Sequence, residues 1–173
     1  VGSEMCIRDR FMVDIKSEGI TLQNYPTIDE YRASEVVIEN LKVSKDNILG
    51  SIDGSYEAIE EQIDLSTIAV CSEAVGILQV LKDSTNDYCK NRKQFGQPIG
   101  ANQVIKHRLV DMMIEYEQAK SILYMAVTAD LSNPIERRKA ASAAKARIGK
   151  AIKFVGENAI QLHGGMGVVD EYM

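Results

Sequence analysis

Apolar positions change their spacing part-way along this chain. Near the start, Phe11, Val13 and Ile15 alternate with Met12, Asp14 and Lys16, the period-two pattern of a half-buried strand. Gly19 marks a turn, Ile20-Thr21-Leu22 begins a second strand that Pro26 and Asp29 break, and Ser34 to Glu39 suits a third. Three short strands bury little core alone, so residues 11–50 read as the end of a larger β domain. After the Gly50–Gly54 linker the spacing becomes helical. Ile59, Ile63, Val70, Ala74, Ile77, Leu78 and Leu81 predict one helix from about Tyr56 to Arg92. A second runs from about Asn102 to Leu131 on Ile105, Leu109, Met112, Met113, Tyr116, Ile122, Leu123, Ala126 and Val127. The third opens with Asn133 as N-cap, Pro134 at the first helical position and Glu136 in the capping-box place. It continues through Ala144, Ile148, Ile152, Val155, Ala159 and Leu162 to Gly164-Gly165.

Long helices joined by tight turns make an antiparallel bundle. The predicted fold is mainly α: a four-helix-bundle type with its last helix missing, over 54–173, preceded by a few strands of a truncated β domain. The alanine-rich third helix (Ala140, Ala141, Ala143, Ala144, Ala146) permits close packing, including against another subunit. Residues 1–10 read as a non-native tail, and the stop at Glu171-Tyr172-Met173 suggests an internal fragment.

Composition narrows the classes. Apolar content of 45% and charged content of 26% are those of a globular protein. A net charge of −5 disfavours nucleic acid as a partner. No uninterrupted apolar run approaches the roughly 20 residues that cross a bilayer, so no membrane insertion is expected. Cys6, Cys71 and Cys89 lack metal-ligand or disulfide spacing and read as free thiols, with Cys71 buried in a helix. That suits a bacterial cytoplasm, with a mitochondrial matrix as the alternative.

Two segments carry candidate chemistry. Arg92-Lys93-Gln94-Phe95-Gly96-Gln97-Pro98-Ile99 joins the first two helices. An arginine at a helix end complements the helix dipole, and its planar donor fork also suits a phosphate; local physics favours the dipole role. Phe95 reads as a cover on the core or as a cofactor contact. Gln161-Leu162-His163-Gly164-Gly165-Met166-Gly167 has more glycine than one helix cap requires, and glycine lets backbone approach a ligand closely. His163 and His107 offer no metal set. Asp64 reads as a solvated surface acid, and Gln103 as a polar helix start.

Together these residues resemble the acyl-CoA dehydrogenase family. The Arg92–Ile99 stretch is similar to that family's R-x-x-F-G-x-x-I turn, Gln103 follows at its spacing, and Gln161–Gly167 is similar to its Q-x-x-G-G-x-G motif. The Gly19–Gly50 segment resembles the last strands of its middle β domain. The resemblance implies a flavoenzyme desaturating acyl-CoA thioesters, in which a glutamate removes the α proton and a hydride leaves for the flavin. It implies FAD contacts from Arg92, Gln94, Phe95, Gln103, Gln161, Gly164 and Gly165, and an acyl-CoA contact from Asp64. It also implies electron-transfer flavoprotein or a similar acceptor, and a homo- or hetero-tetramer. No catalytic base is visible: Ser66 stands where some members place it, Thr67 replaces an arginine often found next, and the usual position lies beyond Met173. The alternatives are a non-catalytic subunit completing the FAD site of a heteromeric enzyme, and a purely structural bundle.

Overall fold

The computed structural model describes residues 10–50 and 55–169. The expected tail up to residue 9, linker residues 51–54 and the segment from Asp170 onward lie outside the described residues. The chain divides into two compact units, residues 1–60 and 61–173.

In the first unit, β1 (Ile20–Pro26) pairs antiparallel with β2 (Arg32–Ile38), in register from Ile20 opposite Ile38 to Pro26 opposite Arg32. Pro26 therefore ends the strand, a position that needs no ladder donor. The Thr27–Tyr31 loop is closed by the Thr27 amide donating to the Tyr31 carbonyl at 2.9 Å. The strand expected over Phe11–Ile15 does not form. Phe11 makes a single bridge to Ile48, and the chain then turns because Asp14 accepts from the Lys16 amide through its carboxylate, at 2.9 Å, and from the Ser17 amide through its carbonyl. A short acceptor side chain competing for local amides outweighs the alternation. Both strands are largely exposed.

Three helices build the second unit: α1 (Ser55–Asn91), which begins just before it, α2 (Gln103–Thr128) and α3 (Pro134–His163). They run up, down and up. The Gln79 amide oxygen of α1 accepts from Tyr116 of α2 at 3.3 Å. Arg147 of α3 bonds Glu115 of α2 at 2.7 Å, while Arg108, earlier on α2, reaches Asn158, later on α3, at 3.2 Å. The start of α3 is as expected: the Asn133 side chain accepts from the Ile135 and Glu136 amides, with Pro134 at the first position. Glu136, however, pairs with Lys139 at 3.0 Å, and the Asn133 amide bonds the Asp130 carbonyl.

The core joins all three helices through Ile68, Leu78, Met112, Leu123, Ile148 and Val155, among others. Each large apolar side chain fully buried there contributes about 1.5–3 kcal/mol. Ala140, Ala141, Ala144, Ala151 and Ala159 are buried within this bundle, so most of the expected alanine face is consumed inside the chain. On α1 the buried face is Ile68, Cys71, Val75, Leu78 and Cys89, whereas Ile63, Val70 and Ile77 of the expected stripe are exposed. Two apolar rows share this helix, and periodicity alone does not say which one meets α2 and α3. The same composition bears on the membrane reading without overturning it. By length and composition α1, alone among the described helices, could cross a bilayer. Scattered polar residues interrupt its apolar run, and core helices of water-soluble bundles share this composition.

Cys71 and Cys89 are free, buried thiols whose pKa burial raises, opposed at Cys71 by the Lys145 charge.

Candidate functional site

Arg92 follows the last residue of α1. Its amide donates to the Tyr88 carbonyl at 2.8 Å, and its carbonyl accepts from the Ile99 amide at 2.8 Å, which closes the connection on itself. Inside that closure β3 (Lys93–Gln94) and β4 (Gln97–Pro98) form a minimal hairpin, with Lys93 opposite Pro98 and Gln94 opposite Gln97. The two loop residues, Phe95 and Gly96, have φ of 53° and 83°. Positive φ at both positions is the mirror-image turn that favours Asn-Gly. Phenylalanine in the left-handed region is strained, and Phe95 is also fully exposed at 102%. It covers no core. The turn then crosses the end of α1 so closely that a Cβ on Gly100 would lie 2.9 Å from the Cys89 carbonyl oxygen.

Arg92, Gln94 and Gln103 are exposed on this connection. Gln94 donates to the Lys93 carbonyl at 2.8 Å, and Gln103 is the first residue of α2. Among the described residues no carboxylate or carbonyl pairs with the Arg92 guanidinium. Its place after α1 remains compatible with a dipole role, but its donors are open to an external anion.

The second segment closes α3. Gln161 is exposed in the last turn, and Gly164, at φ 62°, caps the helix by donating to the Gln161 and Ile160 carbonyls. A 3-10 turn follows over Gly164–Val168. The three glycines differ in why they are glycine. Gly164 needs its positive φ, and a Cβ on Gly167 would come within 2.7 Å of the Ile160 carbonyl oxygen. Gly165 has neither constraint, since nothing lies within 4 Å of where its Cβ would be. Its missing side chain serves no contact among the described residues and leaves backbone open to a ligand.

The structure brings the two segments to the same end of the bundle, through residues that sequence reasoning did not connect. Tyr88, one turn before Arg92, stacks on His163, immediately before Gly164, with ring centroids 4.3 Å apart and planes at 29°. The Tyr88 hydroxyl donates to the His163 carbonyl at 3.4 Å, and His163 Nδ1 lies 2.8 Å from the Ala159 carbonyl oxygen. A proton on Nδ1 gives that contact its donor.

Asp64 is elsewhere, near the start of α1. It is buried, not solvated: Arg137 Nε, in the first turn of α3, donates to Asp64 Oδ2 at 3.4 Å, and Arg137 Nη1 donates to the Leu131 carbonyl at 3.0 Å. Arg137 has no motif to announce it. An apolar groove of about 640 Å³ between α2 and α3, lined by Val110, Met113, Ile122 and Met125 and edged by Arg147, contains none of the predicted site residues.

The model of the acyl-CoA dehydrogenase C-terminal domain matches residues 54–173. The chain belongs to the acyl-CoA dehydrogenase family. It is 32% identical over 165 residues to the caffeyl-CoA reductase–Etf complex subunit CarC of Acetobacterium woodii, covering 94% of this chain and 43% of that one. Among solved structures, butyryl-CoA dehydrogenase from Megasphaera elsdenii superposes with a TM-score of 0.84 at 27% identity, over 95% of this chain and 44% of that one. An FAD-dependent dehydrogenase gives a TM-score of 0.86 at 25% identity, over 94% and 44%. The chain thus spans less than half the length of these relatives.

Members of the acyl-CoA dehydrogenase family are FAD-dependent. The bundle end at Arg92 fits such a dinucleotide on three observations. It has an arginine fork without a partner among the described residues, an exposed and strained aromatic ring, and a glycine whose Cβ space is empty.

Proposed function

We propose that this chain is part of an FAD-dependent acyl-CoA dehydrogenase that introduces an α,β double bond into acyl-CoA thioesters, and that its bundle end holds the FAD. The observation that carries this reading is Phe95, strained at φ 53° and wholly exposed beside Arg92. A protein keeps such a residue where something outside the described chain covers it. Arg92 would donate to phosphate oxygens, with Gln94 and Gln103 bonding beside it and Phe95 covering an apolar part of the cofactor. Gln161, Gly164 and Gly165 would hold another part, through a side-chain amide and open backbone. FAD supplies the hydride-accepting chemistry when bound, and the protein contributes placement and electrostatics. Asp64 has Oδ2 engaged by Arg137, so a substrate contact would come from its other oxygen. The CarC relative, part of an Etf complex, supports an electron-transfer flavoprotein as acceptor and an oligomeric assembly.

A second reading, a subunit that completes the FAD site of a heteromeric enzyme without a base of its own, has one observation in its favour. Ser66 is exposed where some members carry a glutamate, and the nearby Asp64 carboxylate is held by Arg137.

The test is FAD affinity in the full-length protein carrying this chain. It should purify yellow, and Arg92→Ala should weaken FAD binding about tenfold or more, the effect of losing a charge-assisted hydrogen bond worth about 1.5–3 kcal/mol. Unchanged affinity in that variant overturns the proposal.

A further inference from the structure

The Arg92 turn and the Gly164–Gly167 loop are separated by some seventy residues and belong to different helices, yet they must keep a constant spacing to grip one ligand. Helix ends fray, and neither segment is buried. Arg92, Gln94 and Phe95 are exposed on one side, and Gln161, Gly164 and Gly165 on the other. What joins these ends is the contact between Tyr88 and His163. The Tyr88 carbonyl receives the Arg92 amide at 2.8 Å, so any shift of Tyr88 carries the start of the turn with it. His163 directly precedes Gly164, its ring nitrogen is tied to the Ala159 carbonyl at 2.8 Å, and its own carbonyl receives the Tyr88 hydroxyl at 3.4 Å. The Tyr88 ring thus reaches across to the backbone at the end of α3, the His163 ring is tied to its own helix, and the two rings stack at 4.3 Å.

We infer that Tyr88 and His163 are positioning residues, their stacked rings setting the separation between the Arg92 turn and the Gly164–Gly165 loop so that both meet one dinucleotide. The inference rests on the proposed FAD role of those two segments. The pair contacts backbone and each other, and acts on the ligand through Arg92 and the loop. Both partners are half-buried, which limits the solvent access that would let the rings separate. Sites of this kind lose affinity steeply when their contacts drift by a fraction of an ångström.

The experiment measures FAD dissociation from the full-length protein by flavin fluorescence, with amide hydrogen exchange over residues 160–168. Tyr88→Leu, which removes the stack and the hydroxyl, should weaken FAD roughly threefold to tenfold, the range of an aromatic pair. It should also speed exchange in the loop at the far end of α3. Tyr88→Phe keeps the ring and should stay close to the parent. Combining Tyr88→Leu with Arg92→Ala should cost less than the sum of the two, because a residue acting through Arg92 has less to place once Arg92 is gone. If Tyr88→Leu does not fold, His163→Asn replaces it, since the asparagine amide nitrogen can take the place of Nδ1 toward the Ala159 carbonyl while the stack is lost. Parent-like FAD affinity in the folded stack-free variant overturns the inference, as does strict additivity with Arg92→Ala. If Arg92→Ala itself leaves FAD binding unchanged, the cofactor reading fails first. If Arg92→Ala weakens binding and the stack-free variant does not, the positioning role alone fails.

Discussion

The two ends of the helical unit are built from the same helices and spend their polar residues in opposite ways. At one end Asp64 of α1 and Arg137 of α3 turn toward each other, with side chains 13% and 6% exposed, and Arg137 also closes on the Leu131 carbonyl. At the other, Arg92, Gln94, Gln103 and Gln161 are exposed, Phe95 sits in a strained turn, and the Tyr88–His163 stack joins the ends of α1 and α3. The first end pairs its charges inside the chain. The second leaves donors and backbone open and holds strain that nothing in the described chain relieves, the usual signature of a surface awaiting a ligand. A charged residue near a helix end is thus no guide to function until its partner is known.

That contrast can be broken most sharply at Asp64. Asp64→Ala leaves the Arg137 charge buried without its partner and should cost about 3 kcal/mol of stability, read by denaturant unfolding. A loss below ~0.5 kcal/mol would mean that the closed end is not closed. Phe95→Asn should do the reverse. Asparagine suits the first position of this turn, so the variant should gain about 1 kcal/mol by relief of left-handed strain. It should at the same time bind FAD less well, measured by flavin release. A variant that is neither more stable nor weaker in FAD binding would remove the turn from the site.

Between the two ends, Thr85 tests whether the core itself stores strain. Its hydroxyl is fully buried and has no hydrogen-bond partner among the described residues. Thr85→Val should therefore be neutral to about 1 kcal/mol more stable, with FAD affinity unchanged. A destabilised Thr85→Val would show that the hydroxyl has a buried partner such as water.

Much of this was legible in the sequence, for local reasons. The N-cap of α3 is set by Asn133 and Pro134, whose effect lies within three residues, and α2 and α3 end close to where their apolar spacing stops. The spacing of Arg92, Gln103 and Gln161–Gly167 is a one-dimensional pattern, and it carries the family resemblance without any tertiary contact. Three expectations failed because they depended on orientation. Ile63, Val70 and Ile77 have the same spacing as the true core row and point outward. The Phe11–Ile15 alternation was overridden by an aspartate bonding nearby amides. Of the two readings of Phe95, cover on the core and cofactor contact, the first is excluded by a turn whose handedness follows from the β3–β4 pairing.

By itself, then, the sequence determined three helices, the caps of the third and the family they belong to, because helical period and capping are short-range physics. Only the tertiary structure decided which residues are spoken for. Asp64 meets Arg137 across 73 positions, and Tyr88 meets His163 across 75. Contacts that distant depend on how helices rotate and pack against one another, which no local pattern encodes.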